Sequence, residues 1–155
     1  MIDIRKYTSN DWEALQKIHD PARMQELHAA GLDDAFLPLH VAAEREDLFD
    51  YQVYVALLNG QAVGFTAFTE DELAWLYVHP DYQRKGVGKA LAAFALERMS
   101  SETKVVEVLW GNEPARNLYR SLGFTQEVLL HGKMPGNEKI AVSAWQMTMP
   151  QEVSV

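Results

Sequence analysis

Six residues, Gln83-Arg-Lys-Gly-Val-Gly88, stand between an apolar run ending at Val78 and a helix-like run starting at Val87. Two glycines let the backbone approach a ligand closely, the first amides of the following helix lack partners, and Arg84, Lys85 and Lys89 add positive charge. That combination can hold an anion, and a diphosphate is the natural guest. A glycine turn capping a helix, with solvated basic residues, produces the same string. Nucleotide hydrolysis does not fit, because a Walker loop would need Gly at 83 and Ser or Thr at 90, where the chain has Gln83 and Ala90. A dinucleotide fingerprint fails at Leu91, where Gly or Ala is required.

The second chemically informative stretch is Asn112-Glu-Pro-Ala-Arg-Asn-Leu-Tyr-Arg-Ser-Leu-Gly-Phe124. Ala115, Leu118 and Leu122 form a packing stripe, and Tyr119 beside it can face a cleft; alone, Tyr119 reads first as a core or rim tyrosine. The five histidines form no recognisable metal pair with an acid, so no metal is expected. With no cysteine in the chain, disulfides, thiolate metal sites and a cysteinyl intermediate are excluded.

These residues need a scaffold, and the pattern predicts a mixed α/β one. Ile2 and Ile4 alternate with charges as in a half-buried strand, and Thr8 with Asp11 is a capping-box pattern for a helix through about His19. Pro21 is expected to end that helix or start the next, with helical pieces at 22–31 and 42–49. Gln52 to Leu58 and Ala62 to Phe68 flank Asn59-Gly60, a hairpin turn signal. Glu72 to Val78 and Lys104 to Trp110 read as strands, Val87 to Met99 as a helix, and Pro114 and Gly123 bound a short helix over 114–122. Strands at 125–130 and 140–149 complete the order, joined by a loop over 131–139.

At 155 residues, 48% hydrophobic and 23% charged, the chain has the size and composition of one globular domain over 1–155. No run of about 18 apolar residues could span a membrane, and the first residues lack a signal peptide's apolar centre. A soluble, cytoplasmic protein is the expectation. A net charge of −8 argues against nucleic acid as a partner. Asp20, Glu26, Asp33, Asp34, Glu44, Glu46, Asp47 and Asp50, set against Arg23 and Arg45, concentrate that charge in one stretch.

Gln83 to Gly88 and Asn112 to Phe124, with a strand between them, resemble the pyrophosphate loop and the Asn-x-x-Ala-x-x-Leu-Tyr-x-x-x-Gly-Phe signature of the GNAT superfamily of acyl-CoA-dependent N-acetyltransferases. The resemblance is strong from Gln52 to Phe124 and weak before residue 51. It implies a mostly antiparallel central sheet of about six or seven strands with about four helices, two strands splaying to form the acyl-CoA cleft. It implies acetyl-CoA as co-substrate, held by backbone groups of Leu76, Tyr77 and Val78 and by Gln83, Arg84, Lys85, Gly86, Val87, Gly88 and Lys89. Asn112 would touch the pantetheine arm from the other side, and Asn117 joins the cofactor-binding set. Tyr119 matches the tyrosine that protonates the departing thiolate. Glu72 stands six residues before Val78, the spacing at which lysine-acetylating members place a catalytic glutamate, and even spacing puts both side chains on one face; a solvated glutamate at the start of a strand has the same appearance. The implied reaction is direct transfer to an amine in a ternary complex. The acidic stretch would favour a cationic acceptor, and a merely solvated acidic face explains it equally. A non-catalytic acyl-CoA sensor or interaction module of the same fold is the alternative. Under either reading a monomer or homodimer is expected.

Overall fold

The computed structural model describes residues 1–150. Seven strands form one sheet in the order β1-β2-β3-β4-β5-β7-β6: β1 Ile2–Lys6, β2 Gln52–Leu58, β3 Gln61–Phe68, β4 Glu72–Val78, β5 Lys104–Leu109, β6 Gln126–Met134 and β7 Asn137–Met149. All pairings are antiparallel except β4 with β5. Four helices cover the sheet: α1 Trp12–Ala29, α2 Leu39–Arg45, α3 Val87–Arg98 and α4 Glu113–Ser121. The mixed sheet and four helices are those expected.

Each sheet face has its own core. Leu15, Ile18, Leu39 and Leu48 pack with Val55, Phe65 and Trp75 on the α1/α2 side. On the other side, Ala92 and Ala95 of α3 and Tyr119 of α4 pack with Phe68, Leu73, Val106 and Phe124. Gly64 of β3 admits α3 to the sheet: a Cβ there would stand 3.0 Å from both Leu91 Cδ1 and the Tyr77 carbonyl oxygen. No helix among the described residues is long and apolar enough to cross a membrane.

Three local expectations are corrected. Helix α1 continues past Pro21, which lies inside it. An interior proline costs about 3 kcal/mol, but Ala22 and Leu27 continue beyond it the buried stripe begun by Leu15 and Ile18, and each fully buried leucine or isoleucine returns about 1.5–3 kcal/mol. Helix α2 spans 39–45 instead of 42–49. It starts early because Asp20 Oδ1 accepts the Leu39 N–H at 2.9 Å, and stops at Asp47, whose φ of 53° is left-handed. The loop expected over 131–139 is strand: β6 and β7 pair from Gln126↔Thr148 to Met134↔Asn137 around a two-residue tip, where Gly136 takes φ 74°.

The start of α1 is locked to β1. Asp11 receives two Arg5 guanidinium hydrogen bonds, each 2.8 Å, and the Thr8 N–H at 2.9 Å. Its side chain is only 8% exposed, and the Arg5 hydrogen bonds hold its carboxyl down to about 2. Because the folded value lies below the unfolded one of about 3.9, the stabilisation is full above pH ~4 and is lost as pH falls towards 2. Asp11→Asn is therefore expected to cost about 1–3 kcal/mol at neutral pH. Urea midpoints of the two proteins should converge as pH falls from 5 to 2; a constant gap would contradict the ionic origin.

Candidate active site

Strands β4 and β5 share two register pairs, Glu72↔Val105 and Leu73↔Val106, and then part. Past that point the β4 backbone at Leu76, Tyr77 and Val78 presents an edge that β5 does not fill. The turn expected to bind pyrophosphate lies at the end of this edge. Arg84 (φ 63°) and Gly86 (φ 83°) are both left-handed, which turns the chain sharply into α3. The first amide bonded back into the helix is that of Ala90, to Gly86 O at 3.0 Å, so the amides of Val87, Gly88 and Lys89 precede it. The Val87 side chain is buried, while Arg84, Lys85 and Lys89 are exposed at the turn. Gln83 turns back towards the protein: its amide nitrogen donates to Gln25 Oε1 at 2.8 Å and to Val78 O at 3.2 Å.

The second motif is a helix capped at both ends. Asn112 Oδ1 accepts the Ala115 N–H at 3.3 Å, the N-cap bond. At the other end Phe124 N–H reaches Tyr119 O and Gly123 N–H reaches Arg120 O, both at 3.1 Å, with Gly123 at φ 108°. This is a Schellman ending, and its hydrophobic contact is between Tyr119 and Phe124, edge to face at 5.7 Å. The spacing of Asn112, Tyr119, Gly123 and Phe124 is thus the spacing of cap, C3, C′ and C″. Tyr119 is 5% exposed, and no described residue hydrogen-bonds its hydroxyl. Burial, then the charge of Glu26, raise its phenol above the ordinary tyrosine value. Asn117 is exposed on α4.

Glu26 of α1 ties the two motifs together. Its Oε1 accepts from Arg23 at 2.5 Å and from the Tyr77 hydroxyl at 3.3 Å, and its Oε2 accepts from Asn112 Nδ2 at 3.0 Å. One carboxylate therefore spans the splay, from β4 to the start of α4. Burial opposes the charge of Arg23, but the surrounding acidic groups hold its guanidinium above its ordinary value.

Glu72 does not share a face with Val78. β4 bulges between Leu73 and Trp75, which pair with the consecutive residues Phe68 and Ala67. The extra residue reverses the alternation: Leu73 lies on the α3 side with Leu76, and Trp75 on the α1 side. Glu72 stands at the closed end of the splay, opposite Val105, where burial and the nearby Glu107 and Asp71 raise its carboxyl.

On the α1/α2 side, the splay opens into a cavity of about 370 Å³ between α1, α2, β4, β5 and the β6–β7 hairpin. His19, Trp75 and Tyr77 form an aromatic wall, with the His19 and Tyr77 rings 4.9 Å apart. Three carboxylates line it: Glu26, Glu46 and Glu107. Burial pushes the Glu46 carboxyl up to about 7, Arg23 opposing and Glu138 adding to the shift. Neither Glu26 nor Glu46 is marked in the sequence as more than a member of the acidic stretch. Among the described residues no group of three or more acidic or histidine side chains is placed to hold a metal ion.

The sequence model of the Acetyltransferase (GNAT) domain matches residues 49–126, half of the chain. The chain belongs to the GNAT acetyltransferases. Among relatives of this family, the uncharacterized N-acetyltransferase YafP of Escherichia coli is 32% identical over 93 residues, 58% of this chain and 62% of that protein. The match thus spans less than two thirds of that relative. The ribosomal protein bS18 alanine N-acetyltransferase of Escherichia coli is 31% identical over 103 residues, 59% of this chain and 68% of that enzyme. In fold, a GCN5-related N-acetyltransferase from Rhodopseudomonas palustris superposes with a TM-score of 0.77 at 22% identity, covering 96% of this chain and 94% of that one. The PaiA N-acetyltransferase of Thermoplasma acidophilum, solved in complex with coenzyme A, superposes at 0.67 with 19% identity, covering 97% and 99%. Both splay-bounding motifs of this GNAT chain fall inside the matched residues.

Proposed function

We propose that this protein transfers an acetyl group from acetyl-CoA to a primary amine, directly and in a ternary complex. The observation that carries the reading is the splay itself: an unpaired β4 edge leading to free first-turn amides of α3, with the capped α4 bringing Tyr119 to its other side. These groups suit an acyl-CoA. The amides of Val87, Gly88 and Lys89, with Arg84, Lys85 and Lys89 beside them, suit a pyrophosphate. The β4 backbone at Leu76 to Val78 suits the pantetheine arm and the acetyl carbonyl, and Asn112 lies across from it.

Acetyl-CoA supplies an activated acyl group as a thioester. The amine nitrogen forms a bond to the carbonyl carbon, the carbon–sulfur bond breaks, the amine gives up a proton, and the sulfur takes one from Tyr119. A β4 amide holds the oxyanion between these events. Glu107 is the first β5 residue past the last β4 pair and lines the cavity, which makes it better placed than Glu72 to receive the amine proton, directly or through water.

The test is coenzyme A release from acetyl-CoA over a panel of amines, with product mass measured. Amine-dependent release, intersecting double-reciprocal plots and a singly acetylated product are expected. Binding of acetyl-CoA without turnover of any amine would instead support a sensor module. An isolable acetyl-enzyme on the pathway would overturn direct transfer.

A further inference from the structure

The cavity has two unlike ends. At the splay end, Glu26 is fully engaged by Arg23, Tyr77 and Asn112. One turn earlier on α1, Arg23 also points its guanidinium at Met134 Sδ, 3.3 Å away, near the tip of the β6–β7 hairpin. That tip is strapped to α2 by Arg45 Nη1 donating to Gly136 O at 2.8 Å. Glu46 follows Arg45 and closes this far end, its side chain beside the tip: a Cβ at Gly136 would lie in ordinary contact, 3.4 Å from Glu46 Oε2. The Glu46 carboxylate thus lies beside the hairpin tip, half-buried, and lines the cavity. Yet it has no hydrogen bond and no ion pair within 4.0 Å among the described residues. The nearby cation, Arg23, is committed to Glu26. Lys133, which also lines the cavity from β6, forms no ion pair with a described carboxylate.

Resting on the acetyltransferase reading, we propose that the acceptor is a diamine: one nitrogen is acetylated at the splay end while the second, still an ammonium, is held by Glu46 at the far end. The chemistry supports that class over a neutral amine. A desolvated carboxylate with no internal partner is costly, and a ligand cation relieves that cost through a charge-assisted hydrogen bond. Trp75 and Tyr77 offer an apolar wall to the carbon chain between the two nitrogens. A monoamine leaves Glu46 as it was, and so gains nothing from it.

The sign of the pH dependence follows from the groups around Glu46. Arg23 from α1 favours its charged form; Glu138 from β7 and burial oppose it; and its charge is felt by Tyr77 of β4 and by Tyr51. With the carboxyl at about 7, its charged form dominates above that pH, where an aliphatic ammonium is still protonated.

The experiment compares 1,4-diaminobutane with butylamine, using kcat/KM for coenzyme A release and calorimetric binding to the protein alone. Wild-type protein is expected to favour the diamine at least about tenfold, within the range of a charge-assisted contact. That ratio should rise as pH is taken from 6 to 8, and should collapse towards unity in Glu46→Gln. Calorimetry should show diamine binding weakened by a similar factor in Glu46→Gln, independently of turnover. Equal kcat/KM for the two amines, a ratio that survives Glu46→Gln, or acetylation of lysine peptides with neither amine used would overturn the proposal and leave the acetyltransferase reading standing. The absence of any acetyl transfer would sink that reading itself, and diamine binding by calorimetry would report separately on Glu46.

Discussion

Tyr119→Phe should lower kcat by about 10 to 1,000-fold, the range for losing a positioned proton donor, while coenzyme A binding and the melting temperature stay near wild type. The two halves of that expectation have separate physical sources. The ring of Tyr119 belongs to the α3/α4 core and makes the Schellman contact with Phe124, and phenylalanine keeps both. The hydroxyl has no partner among the described residues, so its removal strands no buried group, and the fold loses little. On the proposed mechanism, what is lost is the acid that would convert a departing thiolate, itself a good nucleophile, into a thiol. Burial and the charge of Glu26 raise the phenol above its ordinary value, so Tyr119 remains a proton donor and its own ionisation should give no alkaline limb in kcat below pH ~10. Steady-state thiol release, a thermal melt and a coenzyme A titration check the three parts. Wild-type kcat in the variant would remove Tyr119 from the chemistry.

Where the chain announced its structure, the signals were local. Asn59 and Gly60 both take left-handed φ, 53° and 80°, as the hairpin between β2 and β3 demands. Pro114 and Gly123 bracketed α4 because caps are decided by the few residues at a helix end. The signature from Asn112 to Phe124 was legible for the same reason: it is a capping grammar, with a tyrosine at the position the C-cap folds inward. Reading failed where distant residues decide. Pro21 was outweighed by a stripe visible only once the sheet lies beneath α1. Leu39 could start α2 because Asp20, nineteen positions away, takes its N–H. The bulge in β4 reversed the face of Glu72, and a single extra residue against Ala67 and Phe68 leaves no mark in an alternating string. Glu26 and Glu46 looked like surface acids because nothing in one dimension shows that Tyr77, Asn112 and Gly136 close around them.

Glu26→Gln should lower kcat/KM by roughly 100-fold through misplacement and not through loss of an acid or base. Three donors converge on the two oxygens of Glu26: the Arg23 guanidinium, the Tyr77 hydroxyl and the Asn112 amide. Glutamine offers one oxygen and one amide group, so at least one of these donors must face another donor. Arg23, whose side chain is 20% exposed, loses its anionic partner as well, and stability should fall by about 1–3 kcal/mol, below the 3–5 of a fully buried pair. Stability alone would not establish a bracing role. Asn112 holds the Ala115 N–H through its oxygen, so its nitrogen is the link through which Glu26 orients α4, and Tyr119 rides on that helix. If the brace acts by this route, Glu26→Gln and Asn112→Ala should be non-additive in kcat/KM, with a coupling of about 0.5–3 kcal/mol, while Glu26→Gln with a substitution at the distant Arg5 should be additive. Independent effects at Glu26 and Asn112, or wild-type kcat/KM in Glu26→Gln, would show that the width of the splay is set elsewhere.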